Sequence, residues 1–441
     1  MRTARRERLE GARSMSTDKD KFNLTLAESQ VAVDKINKEF YGRFSYPWAP
    51  TTFPLIADPQ CWTVFLNQEL GDWTHSRIPR TPRIWVAGCG TNQAVFTALR
   101  FPEGDVLGTD ISTQSLAICQ KSASQLGIKN LRLEERSLNT VTYSNEFDYI
   151  ICTGVIHHNA NPEIPLARLS EALKPGGALE IMVYNYFHRI LTTAYQKAIR
   201  HLLSGDAPNG LETELVMTRR LIDKFPLSNT MSEFLRAQKD DPEPALADSL
   251  LQPVEHSYTV ESLGRLLKSA GLEFWLPCLN QFDVASQRSD WNFEFDDEMV
   301  ARQYNALPDE DRWHITNLLS IEESPLLWFY AQRTDSPFKR KSENEVCQDF
   351  LKTKFERYST TVNQYRLSEG SYQFVPRATS WPSPPVPPDE FAGNVFYAVD
   401  PKKTLGEVLQ SLSIKPAFHL VNRIRTRLTT PMFPYLKAVA Q

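Results

Sequence analysis

No pair of cysteines in this 441-residue sequence has C-x-x-C spacing, and the six present (Cys61, Cys89, Cys119, Cys152, Cys278, Cys347) are scattered. That pattern favours neither a zinc site nor a disulfide framework, and makes a reducing cytoplasm the simplest home. No apolar run is long enough to span a bilayer. The formal net charge is only −4, so nothing electrostatic points to nucleic acid as the main partner. The start, MRTARRERLEGARSMSTDKDKF, is basic but lacks the apolar segment of a secretory signal. Residues 1–19 are expected to be a disordered leader, with Met15 as an alternative start. Internal repeats are missing. What is present is an ordinary globular composition, 41% hydrophobic and 23% charged. The length allows a large α/β domain and one or two smaller units.

Strand and helix signals alternate from residue 83. RIWVAG is a short buried-strand pattern ending in glycine, and TNQAVFTALRF follows as a helix. VLGTDIS is a second strand ending at Asp110, and STQSLAICQKSASQLG is an amphipathic helix stopped at Gly127. LRLEERSL, FDYIICTGV and ALEIMVYN are three further strands, with the helix EIPLARLSEALKPGG before the last. Such alternation implies a parallel sheet covered on both faces. EFWLP and LLWFYAQR are expected to complete that sheet with an antiparallel edge.

The expected organisation is an N-terminal helical lid over 20–74 and a main domain over 75–333. A helical cap is inserted at 186–255, broken at SGDAPNG and DDPEP. A polar linker at 334–345 leads to a small α+β accessory domain at 346–441, strand-like at SYQFVP and NVFYAVD. Thr404 and Glu407 have capping-box spacing ahead of a helix in that domain. Its removal is expected to spare ligand binding by the main domain.

The turn within IWVAGCGTNQAVF is the natural ligand cradle. A P-loop needs GxxxxGK[ST], and GCGTNQA has no lysine. The dinucleotide pattern GxGxxG fits Gly88 and Gly90 but meets Gln93 at its third position. Asp110 ends the next strand about 20 residues on, where an acid can hydrogen-bond both hydroxyls of a ribose.

VAGCGTNQ, GTDIS, FDYIICTGVIHH, LKPGGALEIMVYN and PVEHSYTVESLGRLLKSAGL follow one another in that order. Over residues 40–333 the chain resembles a bacterial branch of the class I S-adenosylmethionine (SAM) methyltransferases. The resemblance implies a Rossmann-like α/β sheet with helices on both faces, SAM as cofactor, and methyl transfer to an N or O nucleophile. By motif position Ala87, Gly88, Cys89 and Gly90 face the methionine tail, with Gln93 beside them. Asp110 takes the ribose diol and Ile111 lies against the adenine. Ser137 and Leu138 flank the adenine edge, and Thr153, Gly154 and Val155 form the floor beneath the sulfonium. SAM carries no phosphate, so the turn must allow close backbone approach, which Gly88 and Gly90 permit. Three positions depart from the usual pattern. Val86 stands where the first strand often has an acid. Asn92 replaces a third glycine, as the next-best residue at positive φ. Ser137 replaces the acid that would accept from the adenine amino group, and accepts more weakly.

His157 and His158 are candidate bases; otherwise one caps the next helix and the other packs near the cofactor. His188 is a third candidate base. Tyr184 and Asn185 follow the last parallel strand, where open α/β sheets place ligands. With His256 and Tyr258 they are the substrate candidates. Tyr46, with Tyr41 and Trp48, forms either a lid over the cofactor or plain core. No metal cluster is evident. The expected acceptor is a small metabolite or natural-product-like molecule. The alternatives are a peptide docked by the C-terminal unit and a SAM-binding regulatory subunit without catalysis. No nucleic acid or membrane partner is expected, and a homodimer stays open.

Overall fold

A computed structural model describes residues 30–44, 50–204 and 210–439. The strands of five residues or more, in chain order, are β1 (Thr52–Ile56), β2 (Arg83–Ala87), β3 (Asp105–Asp110), β4 (Leu131–Glu135) and β5 (Phe147–Thr153). They continue as β6 (Leu173–Val183), β7 (Leu272–Pro277), β8 (Leu327–Arg333), β9 (Thr360–Ser368) and β10 (Ser371–Trp381). Seven of them form one sheet in the order β4-β3-β2-β5-β6-β8-β7. Side chains alternate between the two faces of a strand, so a strand buried on both sides must be apolar throughout. β5 shows this: Ile150 and Cys152 enter one core with Trp85, Leu263 and Trp313. Tyr149 and Ile151 enter the opposite core with Val86 and Val95. The chain therefore has the Rossmann-like α/β sheet with helices on both faces.

Two details differ from expectation. β8 is antiparallel to both β6 and β7, so the reversed strand lies one in from the edge and the edge strand β7 runs with the rest. The chain leaves β7 and re-enters β8 at the same end of the sheet, so β8 must run backwards. LKPGG does not end a helix: the helix closes at Ala172, and Leu173 opens β6. The register with β5 shifts between Phe147 and Tyr149, which accommodates the Lys-Pro-Gly-Gly run as a bulge.

Between β6 and the helix Val260–Ser269 that leads into β7 stand the helices Tyr186–Leu202, Leu211–Lys224, Thr230–Ala237 and Glu243–Leu250. They share a core with Phe40 of a helical stretch over 30–43 and with Phe44 just past its end. The C-terminal unit is not a separate body. β1, from the N-terminal region, pairs antiparallel with β9 of the β9–β10 hairpin. Trp73 packs its ring 5.2 Å from Phe350 and 5.6 Å from Phe355. NVFYAVD is not a strand: Glu390–Ala398 is a helix, capped by Asp389 accepting from the Ala392 N–H at 3.0 Å. Its buried residues Ala392, Val395, Phe396 and Val399 have helical spacing, and that period outweighs the β propensity of the run.

Candidate active site

The turn after β2 is held by its neighbour strand. The Gly88 and Cys89 N–H groups donate to the Thr109 carbonyl at 2.8 and 2.9 Å. Gly88 has φ +75°, and a Cβ there would stand 2.4 Å from Val155 Cγ2. Only glycine meets both constraints. Asp110 accepts from the Gly90 N–H at 2.9 Å and the Ser112 N–H at 2.8 Å, one on each carboxylate oxygen. Burial raises its pKa, and these backbone donors oppose the rise. Gln93 opens the helix Gln93–Arg100 and donates to Thr153 Oγ1 at 2.7 Å, tying the turn to the end of β5. Asn92 has φ −151°, so this position does not need the left-handed conformation.

The helical stretch 30–43 crosses this cradle. Asp34 accepts from the Ser137 hydroxyl and from the Asn139 amide at 3.0 Å. Gln30 donates to Asp34 at 3.0 Å and to Asn159 at 3.3 Å, and Asn37 donates to the His158 carbonyl at 2.8 Å. The acid absent at Ser137 in sequence is thus supplied in space by Asp34. Among the described residues, Asn37 Oδ1 and Asn139 Oδ1 are buried without a donor.

A cavity of about 620 Å³ runs from this cradle down one face of the sheet. Its lower limb lies between the helices Cys61–Glu69 and Gln93–Arg100 and the strands β5, β6 and β8. Glu180 of β6 accepts from Trp328 Nε1 at 2.8 Å and from the Tyr149 hydroxyl. Glu69 accepts from the Tyr330 hydroxyl and the Leu279 N–H, each at 2.8 Å. Burial raises both carboxyl groups, Glu69 to about 8. Arg100 lines the same limb, its guanidinium 4.3 Å from the Trp62 ring centre.

Comparison with known proteins agrees with this architecture. Residues 87–221 match a family model described as a methyltransferase domain. Those residues therefore carry a methyltransferase domain. An uncharacterized protein of Synechococcus sp. is 30% identical over 273 residues, 60% of this chain and 63% of its own length. Trans-aconitate 2-methyltransferase of Deinococcus radiodurans is 37% identical over 142 residues, 31% of this chain and 49% of its own. The chain thus spans less than two thirds of these relatives. The fold of PKMT2 from Rickettsia typhi, solved also in complex with AdoHcy, covers 89% of this chain and 76% of its own. Its TM-score is 0.54 at 14% identity.

The methyltransferase domain brings most of the motif residues to one cavity. Gly88, Cys89, Gly90, Gln93, Asp110 and Ile111 line it, and so do Ser137, Leu138, Thr153, Gly154 and Val155. Ala87 lies just behind, buried in β2. Tyr46 and Trp48 lie outside the described residues, whereas Tyr41 lines the cavity.

The candidate bases separate. His158 lines the cavity, bonds Val254 O through Nδ1 at 2.9 Å, and is pushed down to about 4 by burial. His157 is buried behind it, stacked 3.9 Å from Tyr184, with neither ring nitrogen partnered among the described residues. His188 bonds the Ser324 carbonyl at 2.9 Å, away from the cavity. Of the substrate candidates, Tyr184 lines the cavity. Asn185 caps the helix Tyr186–Leu202 and donates to Ser324 Oγ at 3.1 Å. His256 bonds Asn159 O at 3.0 Å, and Tyr258 exchanges backbone bonds with Tyr184 and Tyr186; both stand outside the cavity.

Sequence reading missed Asp34, Arg100, Glu69 and Glu180. A signal existed for two of them. Gln30, Asp34, Asn37 and Tyr41 follow helical spacing, and Glu180 is a charge inside the apolar run ALEIMV.

Proposed function

We propose that this protein transfers the methyl group of SAM to a nitrogen or oxygen nucleophile on a small acceptor held in the lower limb. One observation carries the reading: a single cavity joins the glycine-turn cradle to an enclosed limb lined by rings and polar groups. The cradle's own residues fit the cofactor. Asp110 is half-buried and oriented by two backbone donors, with lone pairs left for a ribose diol. Asp34 and the donorless Asn37 and Asn139 oxygens place acceptors where Ser137 marks the adenine edge.

Bound SAM supplies an electrophilic methyl on a good leaving group. The chain supplies alignment and exclusion of water. Thr153, Gly154 and Val155 form the floor of the cradle, and helix 30–43 closes its rim. His158 is a poor base, being neutral down to about pH 4 with its Nδ1 bonded to the Val254 carbonyl. This favours a nucleophile that needs little proton removal, such as a free amine or a carboxylate.

Calorimetry with SAM, S-adenosylhomocysteine, NAD and NADP tests the reading. Binding of the first two and silence from the others is expected; NAD affinity without SAM affinity overturns it. A peptide acceptor is favoured by one separate feature. A second cavity of about 590 Å³ lies against the C-terminal unit and shares the wall residues Glu69, Cys278 and Leu279 with the limb. Incubating native lysate with labelled SAM separates the two, by label in small molecules or in polypeptide.

A further inference from the structure

Arg100 is a charge that methyl transfer alone does not require. It sits on the last turn of the helix Gln93–Arg100 and lines the lower limb. Among the described residues no hydrogen bond or ion pair reaches its guanidinium. Its near contacts are ring faces, Trp62 at 4.3 Å and Phe96 at 5.8 Å. Burial lowers its pKa, but a guanidinium stays charged throughout the working pH range. A cation held among rings in a cavity is stabilised by an anion, and its forked N–H groups match the two oxygens of a carboxylate.

The protein's own carboxyl groups in the limb give their hydrogen bonds to other partners, although Glu180 lies close enough to favour the Arg100 charge. Glu180 is bonded to Trp328 and Tyr149. Glu69 is bonded to Tyr330 and the Leu279 main chain. Arg136, the other cation on the cavity wall, stands beside Ser137 at the cofactor rim and pairs with Glu134 at 3.3 Å. The limb therefore holds one cation whose donors are unspent, within electrostatic reach of Glu180 but hydrogen-bonded to neither limb carboxyl group among the described residues.

We propose that Arg100 anchors a carboxylate on the acceptor, at the end remote from the atom that receives the methyl group. The inference rests on reading this cavity as the transfer site. Tyr149, at the bottom of the limb, stands four residues down β5 from Thr153, about 13 Å at the rise of a strand. Arg100 lies seven residues beyond Gln93, about 10 Å along its helix. The group it holds is therefore separate from the cofactor's own tail at the glycine turn. The acceptor class that follows is an elongated carboxylate with an apolar or aromatic body, its flanks against Trp62, Phe96 and Trp328.

The test uses the full chain saturated with S-adenosylhomocysteine, and three probes of one shape: 4-phenylbutyrate, 4-phenylbutyramide and 4-phenylbutylamine. Ligand-observed NMR titration is expected to show the carboxylate binding about tenfold or more tighter than the amide or the amine. Arg100→Gln is expected to remove that preference, and Arg100→Lys to restore part of it as a point charge without the fork. S-adenosylhomocysteine affinity should change less than about twofold in both variants. Equal binding of the amide, preference for the amine, or an unaffected Arg100→Gln variant overturns the proposal. So does a large loss of S-adenosylhomocysteine affinity in Arg100→Gln, which would give the guanidinium to the cofactor. Should the glutamine variant fail to fold, the three-probe comparison on the unaltered chain decides. Failure of S-adenosylhomocysteine to bind the unaltered chain sinks the cofactor reading and this one together. Its binding without carboxylate preference sinks this one alone.

Discussion

Asp110 is a half-buried acid and Glu69 a buried one, and they behave differently because their partners differ. Asp110 faces backbone donors at the turn and keeps capacity for a ligand. Asp110→Ala is expected to weaken SAM binding by about 1–3 kcal/mol, read by calorimetry, through lost hydrogen bonds to the ribose. An unchanged affinity would remove the ribose from that position. Glu69 is raised from 4.5 to about 8, with burial as the main cause. Across that window the folded state binds more protons than the unfolded state, so stability falls as pH rises. Between pH 6.5 and 8 the fall attributable to Glu69 is at most about 2 kcal/mol. Glu69→Gln should flatten that slope in urea titrations at the two pH values. His158 has the opposite sign. Its pKa drops to about 4, so its contribution is lost on acidification from about 6.5 towards 4, outside the window of the Glu69 test. The turn residues were legible in sequence because their chemistry is local: Gly88 needs its φ, and Asp110 ends its strand. Asp34 and Arg100 were not, because their meaning lies in what stands opposite them in space.

At the scale of elements, the helical stretch 30–43 links the cap to the cradle. One face carries Phe40 into the core of the cap helices, joined there by Phe44 just past the stretch. Another carries Gln30, Asp34 and Asn37 onto Asn159, Ser137 and the His158 carbonyl. A ligand that binds only when this face is seated must stabilise the seated state. S-adenosylhomocysteine should therefore slow hydrogen exchange of the amides in 30–43. Asp34→Ala should weaken both that protection and the ligand affinity. Protection that ignores the ligand would make the stretch plain scaffold. The helix with a strong cap was legible: Thr404 and Glu407 form the capping box their spacing suggests. The direction of β8 was not, because strand polarity follows from where the intervening chain returns. The helix Glu390–Ala398 was misread from its aromatic and β-branched residues.

For the whole molecule, the C-terminal unit is fastened to the helix Cys61–Glu69. Gln68 donates to the carbonyls of Thr429 at 3.1 Å and Leu436 at 3.0 Å, and accepts from the Ala438 N–H at 2.8 Å. All of this is buried. Gln68→Leu strands three main-chain groups at once and should cost about 3 kcal/mol or more in denaturant unfolding. A loss below about 1 kcal/mol would show that water reaches this seam. Deleting residues 340–441 removes the partner of β1 and uncovers Trp73 and the surroundings of Val346. The truncated chain is expected to aggregate rather than to bind SAM as a free domain, a result that solubility and calorimetry read directly. The composition shift at the linker marks a change in sequence, not a break in packing.

By itself the sequence determined the alternating sheet, the glycine turn and the acid at the end of the second sheet strand. These depend on period, φ and spacing, all of which are local. Tertiary structure alone decided which histidine faces the cavity, which acid stands beside Ser137, and that a lone guanidinium shares a limb with two occupied carboxyl groups. Those facts arise from residues far apart in the chain, where burial and opposing charge depend on how the folded layers meet.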